Sequence, residues 1–590
     1  MNFTEEKSLL VKTNEVLLKE NDQWLYFSNP HQIIIAEKLE DVLPTLGEIE
    51  RLIEVNDGWH AAGFLSYEAA PGFDSVLQTK LGIGFPYLWF ALYPKPRIVI
   101  LPKPQQRKEV LEWHPMIDRE IYEAAIAKIK DSISEGKTYQ VNYTMRLQTD
   151  FSGSSWNFFL HLAQNQNEYA AYIDTGRYAI CSASPELFFQ LDGNTITCRP
   201  MKGTAKRGRT TLEDHKQSEW LKISEKNRAE NVMIVDMIRN DLGKIAEVGS
   251  IHVPHLFATE RYPTLWQMTS TVTAKTKASF ADIFKALFPS ASITGAPKVG
   301  TMKIIAELES TPRRIYTGTV GYISPQRKAS FNVAIRTMLV DQQNQKAEYG
   351  VGGGIVWDSD STDEYAEALL KTQVLVQQPL PFSLLETILW TPEEGFFLQE
   401  KHTTRILDSA AYFDIPITKE KLEEYLKKIS AEFSEPQRIR VLLDQAGKLD
   451  CEAYPFENTK TIQPLRAVLA KEPVDSNNIF LYHKTTNRDI YESAREGFEE
   501  FDDVLLYNEL GELTEFTIGN LVVELNSQLL TPPISCGVLA GTFRAHLVEA
   551  GQVLERTIPI DQLSNYTKIF RVNSIRKWQR VQIQNSLQNL

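Results

Sequence analysis

Strand-like apolar runs at Gln32–Ala36, Tyr87–Tyr93 and Arg97–Leu101 alternate along the chain with stretches of helical spacing, of which Asp118–Glu135 is the clearest. The pattern predicts a mixed chain, α/β or α+β. Gly136–Arg146 reads as a turn running into a strand rich in hydrogen-bonding side chains. Trp220–Leu242 predicts one long helix, with Ala229, Val232, Met233 and Met237 as its buried stripe and Gly243 as its C-terminal stop. At Gln377-Gln-Pro-Leu-Pro-Phe382 a helical pattern meets two prolines, and a new strand-like run, Ser383–Trp390, follows. Two catalytic units are therefore expected, 1–378 and 380–590. A softer division of the first falls at the Pro/Lys-rich Leu101–Arg107, separating an N-terminal segment, residues 1–107, from a core, residues 108–378. Neither an internal repeat nor a low-complexity tract interrupts this pattern.

Length and composition make both units globular: 590 residues, 43% of them hydrophobic, are ample for large cores. The formal net charge of −13 argues against nucleic acid or an anionic membrane as the main partner. Cys181, Cys198, Cys451 and Cys536 are widely spaced and form no CxxC pair, so neither a disulfide framework nor a thiolate zinc site is expected. The first residues, MNFTEEKSLL, lack the basic-then-apolar layout of a signal peptide, and no apolar run reaches membrane-spanning length. A reducing cytoplasm is the expected setting.

Candidate chemistry gathers first at Arg199-Pro-Met-Lys-Gly-Thr-Ala-Lys-Arg-Gly208. Lys202 sits between a proline, which fixes φ, and a glycine, which admits close approach, so its amine leaves a defined turn. Neighbouring cations and burial disfavour the ammonium form, and an uncharged amine is a nucleophile. The same ten residues also fit a basic surface turn. Glu186 follows a proline in Ser182–Leu187, and Glu230 lies beside the helical stripe, where a buried carboxylate needs a cation, a metal or a partner. In Ser361–Lys371, Ser361 and Glu364 have capping-box spacing, and positions 364, 367 and 371 share a helix face. That face fits a solvated Glu-to-Lys ladder. Combined with Glu230, Glu364 and Glu367 also make a hard oxygen set suited to Mg²⁺. Upstream, Tyr349-Gly-Val-Gly-Gly-Gly-Ile355 lacks the glycine offset of a dinucleotide fingerprint, yet its backbone amides could converge on a carboxylate.

SPEL at 184–187, PMKGT at 200–204, RAENVMIVDMIRNDLG at 228–243, SITGAPK at 292–298, AIRT at 334–337, GGGI at 352–355 and the EYAEALLK helix together resemble the chorismate-utilising enzymes, in order and spacing, across about 120–375. The resemblance implies a two-sheet α/β sandwich. Lys202 matches the aminodeoxychorismate synthase component I branch, whereas anthranilate synthases usually have alanine there, so amination of chorismate at C4 is implied. By position, Lys202 would attack C2, Glu186 would assist departure of the C4 hydroxyl, and Glu230 and Glu367, supported by Glu364, would hold Mg²⁺. Arg336, Tyr322 and the Gly352, Gly353 and Gly354 backbone match groups on the enolpyruvyl carboxylate, and Lys371 matches one near the ring carboxylate. Thr204 and Thr294, from the PMKGT and SITGAPK motifs, match substrate-binding positions. Gln140 stands where water-using relatives carry a basic lysine. The sequence departs from the family at Gln267, where many relatives have histidine, and at Met201, usually isoleucine.

In the second half, FSLLETI from Phe382, HTTRILDSA from His402, YHKTTN from Tyr482, LTEFTIGN from Leu513, LTPP from Leu530 and Gly541-Thr542 resemble fold-type IV pyridoxal-phosphate enzymes, a class that includes branched-chain and D-amino-acid transaminases and aminodeoxychorismate lyase. By position, Lys484 would bind pyridoxal 5′-phosphate and move protons, Glu515 would face the pyridine nitrogen, and Arg405 would grip the phosphate with Thr517, Asn520, Gly541 and Thr542. Lyase and transaminase share this scaffold; the fusion favours the lyase, because the first unit's product would be the second unit's substrate. The implied whole is a bifunctional enzyme making 4-aminobenzoate, with ammonia from a separate glutamine amidotransferase, because no cysteine lies in a glutaminase elbow. An anthranilate-type synthase joined to a transaminase, and a fusion with one half reduced to a scaffold, are the alternatives; Lys202 argues against the first. A homodimer through the second unit follows by analogy with type IV enzymes.

Overall fold

The computed structural model describes residues 9–82, 84–105, 111–164, 168–372, 382–457 and 463–584. The proline boundary expected at 377–382 lies outside them except for Phe382, as does the end of the softer division at 101–107. Two compact units emerge: residues 1–206 with 218–379, and residues 207–217 with 380–590. Among the described residues no helix is long and apolar enough to cross a membrane.

The first unit is built on two mixed-order sheets of ten strands each among the described residues. One contains Glu15–Glu20, Gln140–Asp150, Tyr169–Asp174, Tyr178–Ser184, Thr337–Asp341 and Lys346–Ile355; the other contains Gln32–Ala36, His60–Leu65, Leu88–Tyr93, Leu187–Asp192, Met201–Lys206, Leu265–Lys275 and Thr319–Ser324. One buried cluster draws Val16, Leu18, Ala171, Ile173 and Leu339 from the first sheet and Ala62, Phe64, Trp89 and Val320 from the second, so the sheets face each other across it. The outer faces are covered by helices: Arg119–Ser134 and Ser155–Ala163 on one side, Val42–Val55, Glu225–Gly243 and Phe280–Leu287 on the other. Each Leu, Ile, Val or Phe buried there contributes about 1.5–3 kcal/mol. This is the expected two-sheet sandwich.

Two local expectations change. Instead of one helix over 220–242 there are two, Thr211–Ile223 and Glu225–Gly243, broken at the extended Ser224. Asn231, Ile234, Val235, Ile238 and Leu242 form the buried stripe of the second, while Ala229 and Val232 are exposed and Met233 and Met237 only pack at its margin. The helix turns its Ile/Val/Leu residues inward. In the helix Ser361–Leu370 the cap is Asp360, whose carboxylate accepts from the amides of Thr362 and Asp363, so Ser361 is already helical and the capping box is not formed.

Among the described residues the second unit has a four-stranded sheet, with Leu384–Thr391 and Gln437–Leu443 at its centre, packed on helices Gln399–Tyr412 and Lys419–Ser430. A sheet of eight described strands follows, in which Leu465–Leu469 runs parallel to both Asp503–Tyr507 and Lys577–Gln584.

Candidate active sites

In the first unit, the strand Met201–Lys206 pairs with Leu265–Lys275 but loses register between Met201 and Thr204. The irregularity is centred on Gly203, at φ +101, where a Cβ would press on Asn227 at 3.1 Å; glycine lets the strand lie against the helix that carries Glu230. Asn231 donates to the Lys202 carbonyl at 3.2 Å and accepts from Ser270 at 2.6 Å, pinning the backbone. The Lys202 side chain points to Glu230, with Nζ 3.7 Å from the carboxylate. Burial lowers the pKa of this amine, against the opposing pull of Glu230.

The wall facing it is the strand Lys346–Ile355, paired with Gln140–Asp150 so that Gly352, Gly353 and Gly354 stand opposite Thr144, Tyr143 and Asn142. A Cβ on Gly354 would lie 2.0 Å from Gln140 Nε2 and 2.5 Å from Lys202 Nζ, and one on Gly353 would lie 3.1 Å from Glu364 Oε2 and 3.9 Å from Lys371 Nζ. Lys202, Gln140, Glu364 and Lys371 thus converge on one glycine stretch. The side-chain oxygen of Gln140 is buried with no hydrogen-bond partner among the described residues, an acceptor left open in this wall. Lys371 donates to the Gly352 carbonyl at 2.8 Å and pairs with Glu367 at 2.9 Å.

Glu186 is buried, and burial pushes its carboxyl up to about 7, against hydrogen bonds from the Ser292 hydroxyl and the Met201 amide and the nearby charge of Lys202. Near neutrality it is a proton donor beside an amine. Arg336 has a left-handed backbone, φ +50, and its guanidinium lies over Tyr262, 5.8 Å from the ring centroid, with no acidic partner among the described residues. A largely desolvated guanidinium of this kind suits a carboxylate ligand.

The carboxylates Glu230, Glu364 and Glu367 are hard oxygen donors of the type Mg²⁺ prefers. Each is engaged separately: Glu230 with Lys202, Glu367 with Lys371, and Glu364 with the Ser359 hydroxyl at 2.7 Å. Among the described residues no three acidic, histidine or cysteine side chains form a preassembled metal cluster. Burial, then the like charge of Glu367, raises the Glu364 carboxyl, so a cation there would be stabilising. The donor type fits Mg²⁺; the geometry requires side-chain movement to close on it.

In the second unit, Lys484 is flanked by Arg405, Glu386, Arg488 and Glu515, and burial, aided by Arg405, brings its amine down to about 8. Glu515, raised to about 7 by burial, accepts from Tyr491 at 2.9 Å, Asn520 at 2.9 Å and the Leu539 amide at 3.3 Å. A buried carboxyl within the electrostatic reach of an amine of lowered pKa fits pyridoxal phosphate, which needs one group at its ring nitrogen and another at its aldehyde. Glu386 grips Arg405 through two hydrogen bonds, 2.7 and 2.5 Å, and accepts from or shares a proton with His402 at 2.6 Å; His402 in turn meets the Thr542 hydroxyl at 3.2 Å. Although burial pushes the other way, Arg405 and His402 hold the Glu386 carboxyl down at about 2. Gly541 caps the helix Thr542–Glu549, and a Cβ on it would strike Asn520 at 1.8 Å. Arg405, which also donates to the Ala540 carbonyl at 3.0 Å, Thr542 and the Gly541 cap are donors of the type a phosphate accepts.

Residues 13–377 match the family model described as chorismate binding enzyme. The chain belongs to the chorismate binding enzymes. In this chorismate binding enzyme, residues 383–583 match a second family, amino-transferase class IV, so two families are joined in one chain. Over 270 residues it is 39% identical to aminodeoxychorismate synthase component 1 of Escherichia coli (strain K12), covering 45% of this chain and 59% of that protein. Over 250 residues it is 44% identical to the probable chloroplastic aminodeoxychorismate synthase of Oryza sativa subsp. japonica, covering 41% of this chain and 28% of that one. The matches therefore span less than two thirds of these curated relatives. The solved anthranilate synthase component I from Streptococcus pneumoniae TIGR4 aligns with TM-score 0.53 and 24% identity over 64% of this chain and 95% of its own, a likeness of fold.

Several residues of this chorismate binding enzyme depart from their expected places. Tyr322 is not with the glycine stretch: its hydroxyl donates to Glu20 at 2.5 Å and its ring packs on Phe27. Tyr316, which no motif marks, lies against Gly350 on the glycine-bearing strand, where a Cβ would meet its ring at 2.2 Å, and Arg146 covers the same ring. Thr204 turns its hydroxyl to Gln267 at 3.3 Å, and Thr294 bonds back to the Ser290 carbonyl at 3.0 Å, shaping their loops. Gln267, at the family's histidine position, donates to the Gly203 carbonyl at 2.9 Å and so supports the Lys202 turn. The Thr517 hydroxyl is committed to the buried Asp503 at 2.5 Å, and Asn520 to Glu515 and the Leu539 carbonyl, so neither side chain is a phosphate ligand as placed. Glu386, His402 and Tyr491 join the site without a sequence-based expectation; the ETI and HTTR spacing holds the signal for the first two.

Proposed function

We propose that this chain makes 4-aminobenzoate from chorismate and ammonia, amination being carried out by residues 1–378 and release of pyruvate by residues 380–590. The observation that carries the reading is a desolvated Lys202 amine set against Gly354, within the electrostatic reach of the buried acid Glu186. In the first step the Lys202 nitrogen bonds to C2 of chorismate, the ring double bonds shift, and the C4–O bond breaks, the oxygen leaving as water with a proton from Glu186. Ammonia then bonds to C4 as the C2–N bond breaks; the proton lost from the new ammonium restores Glu186, and Lys202 is again an amine. Atoms balance as chorismate plus ammonia giving aminodeoxychorismate plus water. The open Gln140 oxygen would accept a hydrogen bond from the entering ammonia, while Arg336 would bind the enolpyruvyl carboxylate and Lys371 the ring carboxylate. Glu230, Glu364 and Glu367 would hold Mg²⁺, which supplies positive charge for the substrate's carboxylate.

Ammonia is proposed to come from a separate glutaminase polypeptide. Cys181, Cys198 and Cys536 are buried, and burial raises all three thiols, so none is set as a thiolate nucleophile.

For the second step, pyridoxal phosphate, when bound, supplies an electron sink conjugated to the substrate amino group. Lys484 takes the proton from C4 and returns one to the enolpyruvate as the C3–O bond breaks, giving 4-aminobenzoate and pyruvate. Glu515 would hold the ring nitrogen, and Arg405 with Thr542 would hold the phosphate.

The test is product identity by chromatography with mass detection after mixing the chain with chorismate, an ammonium salt, Mg²⁺ and pyridoxal phosphate. The expected products are 4-aminobenzoate and pyruvate. Aminodeoxychorismate that accumulates would overturn the lyase assignment, and anthranilate would overturn the assignment of Lys202. Loss of the bound-cofactor absorbance in Lys484→Ala checks the lysine separately.

A further inference from the structure

The strand that carries Lys202 ends at Lys206, and the eleven residues that follow, 207–217, belong to the second compact unit before the chain returns to the first at Ser218. Within the second unit this segment is a built piece. Arg207, largely buried, pairs with Asp214 at 2.7 Å, donates to the Tyr412 carbonyl at 3.0 Å and lies over the Tyr412 ring at 4.3 Å. Asp214 also accepts from the Gly208 amide at 2.9 Å, closing a turn so tight that a Cβ on Gly208 would fall 2.1 Å from the Asp214 nitrogen. The Tyr412 hydroxyl donates to the Gly208 carbonyl at 2.8 Å. Arg209 holds Glu213 with its fork and reaches the carbonyls of Ser476 and Ser535 at 3.4 and 3.2 Å, with its guanidinium over Tyr482.

These contacts converge on one ring. The His483 ring lies tilted against Tyr412, centroids 4.3 Å apart; its Nε2 meets the Arg209 carbonyl at 3.2 Å and its Nδ1 meets the Ser409 hydroxyl at 3.0 Å. A carbonyl can only accept, so Nε2 carries the proton and Nδ1 accepts from Ser409, a single tautomer. Burial holds this imidazole neutral by bringing its pKa to about 4. The next residue is Lys484, whose carbonyl accepts from the Leu385 amide at 2.9 Å.

We propose that the segment 207–217 is a positioning element of the second active site: through Tyr412, Tyr482 and His483 it fixes the backbone from which Lys484 projects toward pyridoxal phosphate. The proposal rests on the reading of Lys484 as the cofactor-binding lysine. It gives Arg207 and Arg209, which follow Lys202 in sequence but belong to the second unit, a role in that unit's own chemistry.

The test uses the full chain, with Arg207→Ala, His483→Ala and the double variant, and reads pyridoxal phosphate affinity together with the induced circular dichroism per bound cofactor. Each single variant is expected to bind about ten-fold more weakly and to lose ellipticity per bound cofactor. The double variant should be no worse than the weaker single one, since both cut the same chain of contacts. A purely structural role lowers the unfolding temperature but leaves the ellipticity of bound cofactor intact; wild-type affinity and ellipticity in Arg207→Ala, or fully additive losses, overturn the proposal. Hydrogen exchange on the cofactor-free chain decides it independently. Amides of 479–486 should lose protection in Arg207→Ala, and unchanged protection overturns the proposal even if no cofactor band forms in the wild type, a result that by itself would count against Lys484 alone.

Discussion

The amine of Lys202 lies 2.5 Å from the point where a side chain on Gly354 would begin. The other atom in the way is Gln140 Nε2, at 2.0 Å, and both are the ends of flexible side chains. Gly354→Ala should therefore leave the fold intact while pushing the amine and amide off their positions. The amination rate is expected to fall by about 100-fold, the scale of an ångström misplacement, with the unfolding temperature nearly unchanged. Gly352→Ala is the contrast: its Cβ would meet the Tyr143 carbonyl at 2.2 Å, a backbone clash, and should lower both. Equal amination rates in wild type and Gly354→Ala would remove the glycine wall from the mechanism.

Glu186 is raised to about 7 by burial, so it carries its proton below that pH and loses it above. If it is the acid that protonates the departing hydroxyl, kcat/KM for amination should fall on the alkaline side as pH rises through about 7. Glu186→Gln keeps the shape but has no acidic proton; a loss of about 10²–10⁴-fold is expected, together with disappearance of that alkaline limb. Ammonia must be supplied at constant free-base concentration for the profile to report the enzyme. A Glu186→Gln rate within a few-fold of wild type would exclude the assignment.

Glu386 joins Arg405, His402 and, through His402, Thr542, and its carboxyl is held at about 2 in the folded chain. A depressed carboxyl contributes stability above its unfolded pKa, and that contribution is lost as pH falls toward the folded value. From the ordinary value of 4.5 to about 2, the linkage is worth about 3 kcal/mol. The second unit's denaturant midpoint should therefore fall between about pH 4.5 and 2 in wild type, and this acid dependence should flatten in Glu386→Gln. The same variant frees Arg405 and should weaken pyridoxal phosphate binding, read by equilibrium dialysis. Unaltered acid dependence in the variant would show that Glu386 is not the group that titrates.

The pattern of apolar residues reveals elements where the local signal is strong. Gln32–Ala36 forms a strand over the expected residues, and Arg119–Ser134 falls inside the expected helix. It hides the break at Ser224, because neither glycine nor proline marks it and helical spacing continues on both sides. Lys202, Glu186, Gln140 and the glycines are legible because motif spacing reports them, and the fold brings them together. Tyr316 is hidden behind Tyr322, six positions on: both precede Arg336 on the same stretch, and only the tertiary packing at Gly350 shows which ring reaches the glycine-bearing strand. Residues 207–217 cannot be assigned to the second unit from sequence, since long-range packing leaves no mark in a short polar run.

Behind the first site, Glu309 is the hub of a buried charge cluster. It accepts from the Thr144 amide and hydroxyl at 3.0 and 2.7 Å, from Arg146 at 3.0 Å, and from Arg313 at 3.0 and 2.6 Å. Both arginine side chains are 1% exposed, so neither can recover water if the carboxylate is removed. Arg313 also donates to the carbonyls of Ile293 and Asn142, residues adjoining Ser292, which bonds Glu186, and Tyr143, which faces Gly353. Glu309→Ala should leave two buried guanidinium groups without the carboxylate they share, a loss of about 3–5 kcal/mol. Replacing the whole Glu309/Arg146/Arg313 set with apolar residues of similar volume should cost less than removing Glu309 alone, because the penalty lies in stranded charge. Denaturant titration of the full chain, followed by the tryptophans of the first unit, separates the outcomes. If Glu309→Ala shifts that transition by no more than a surface substitution does, about 0.5 kcal/mol, the cluster does not hold the site together. A transition that moves while Glu186-dependent amination stays at its wild-type rate would confine Glu309 to stability alone.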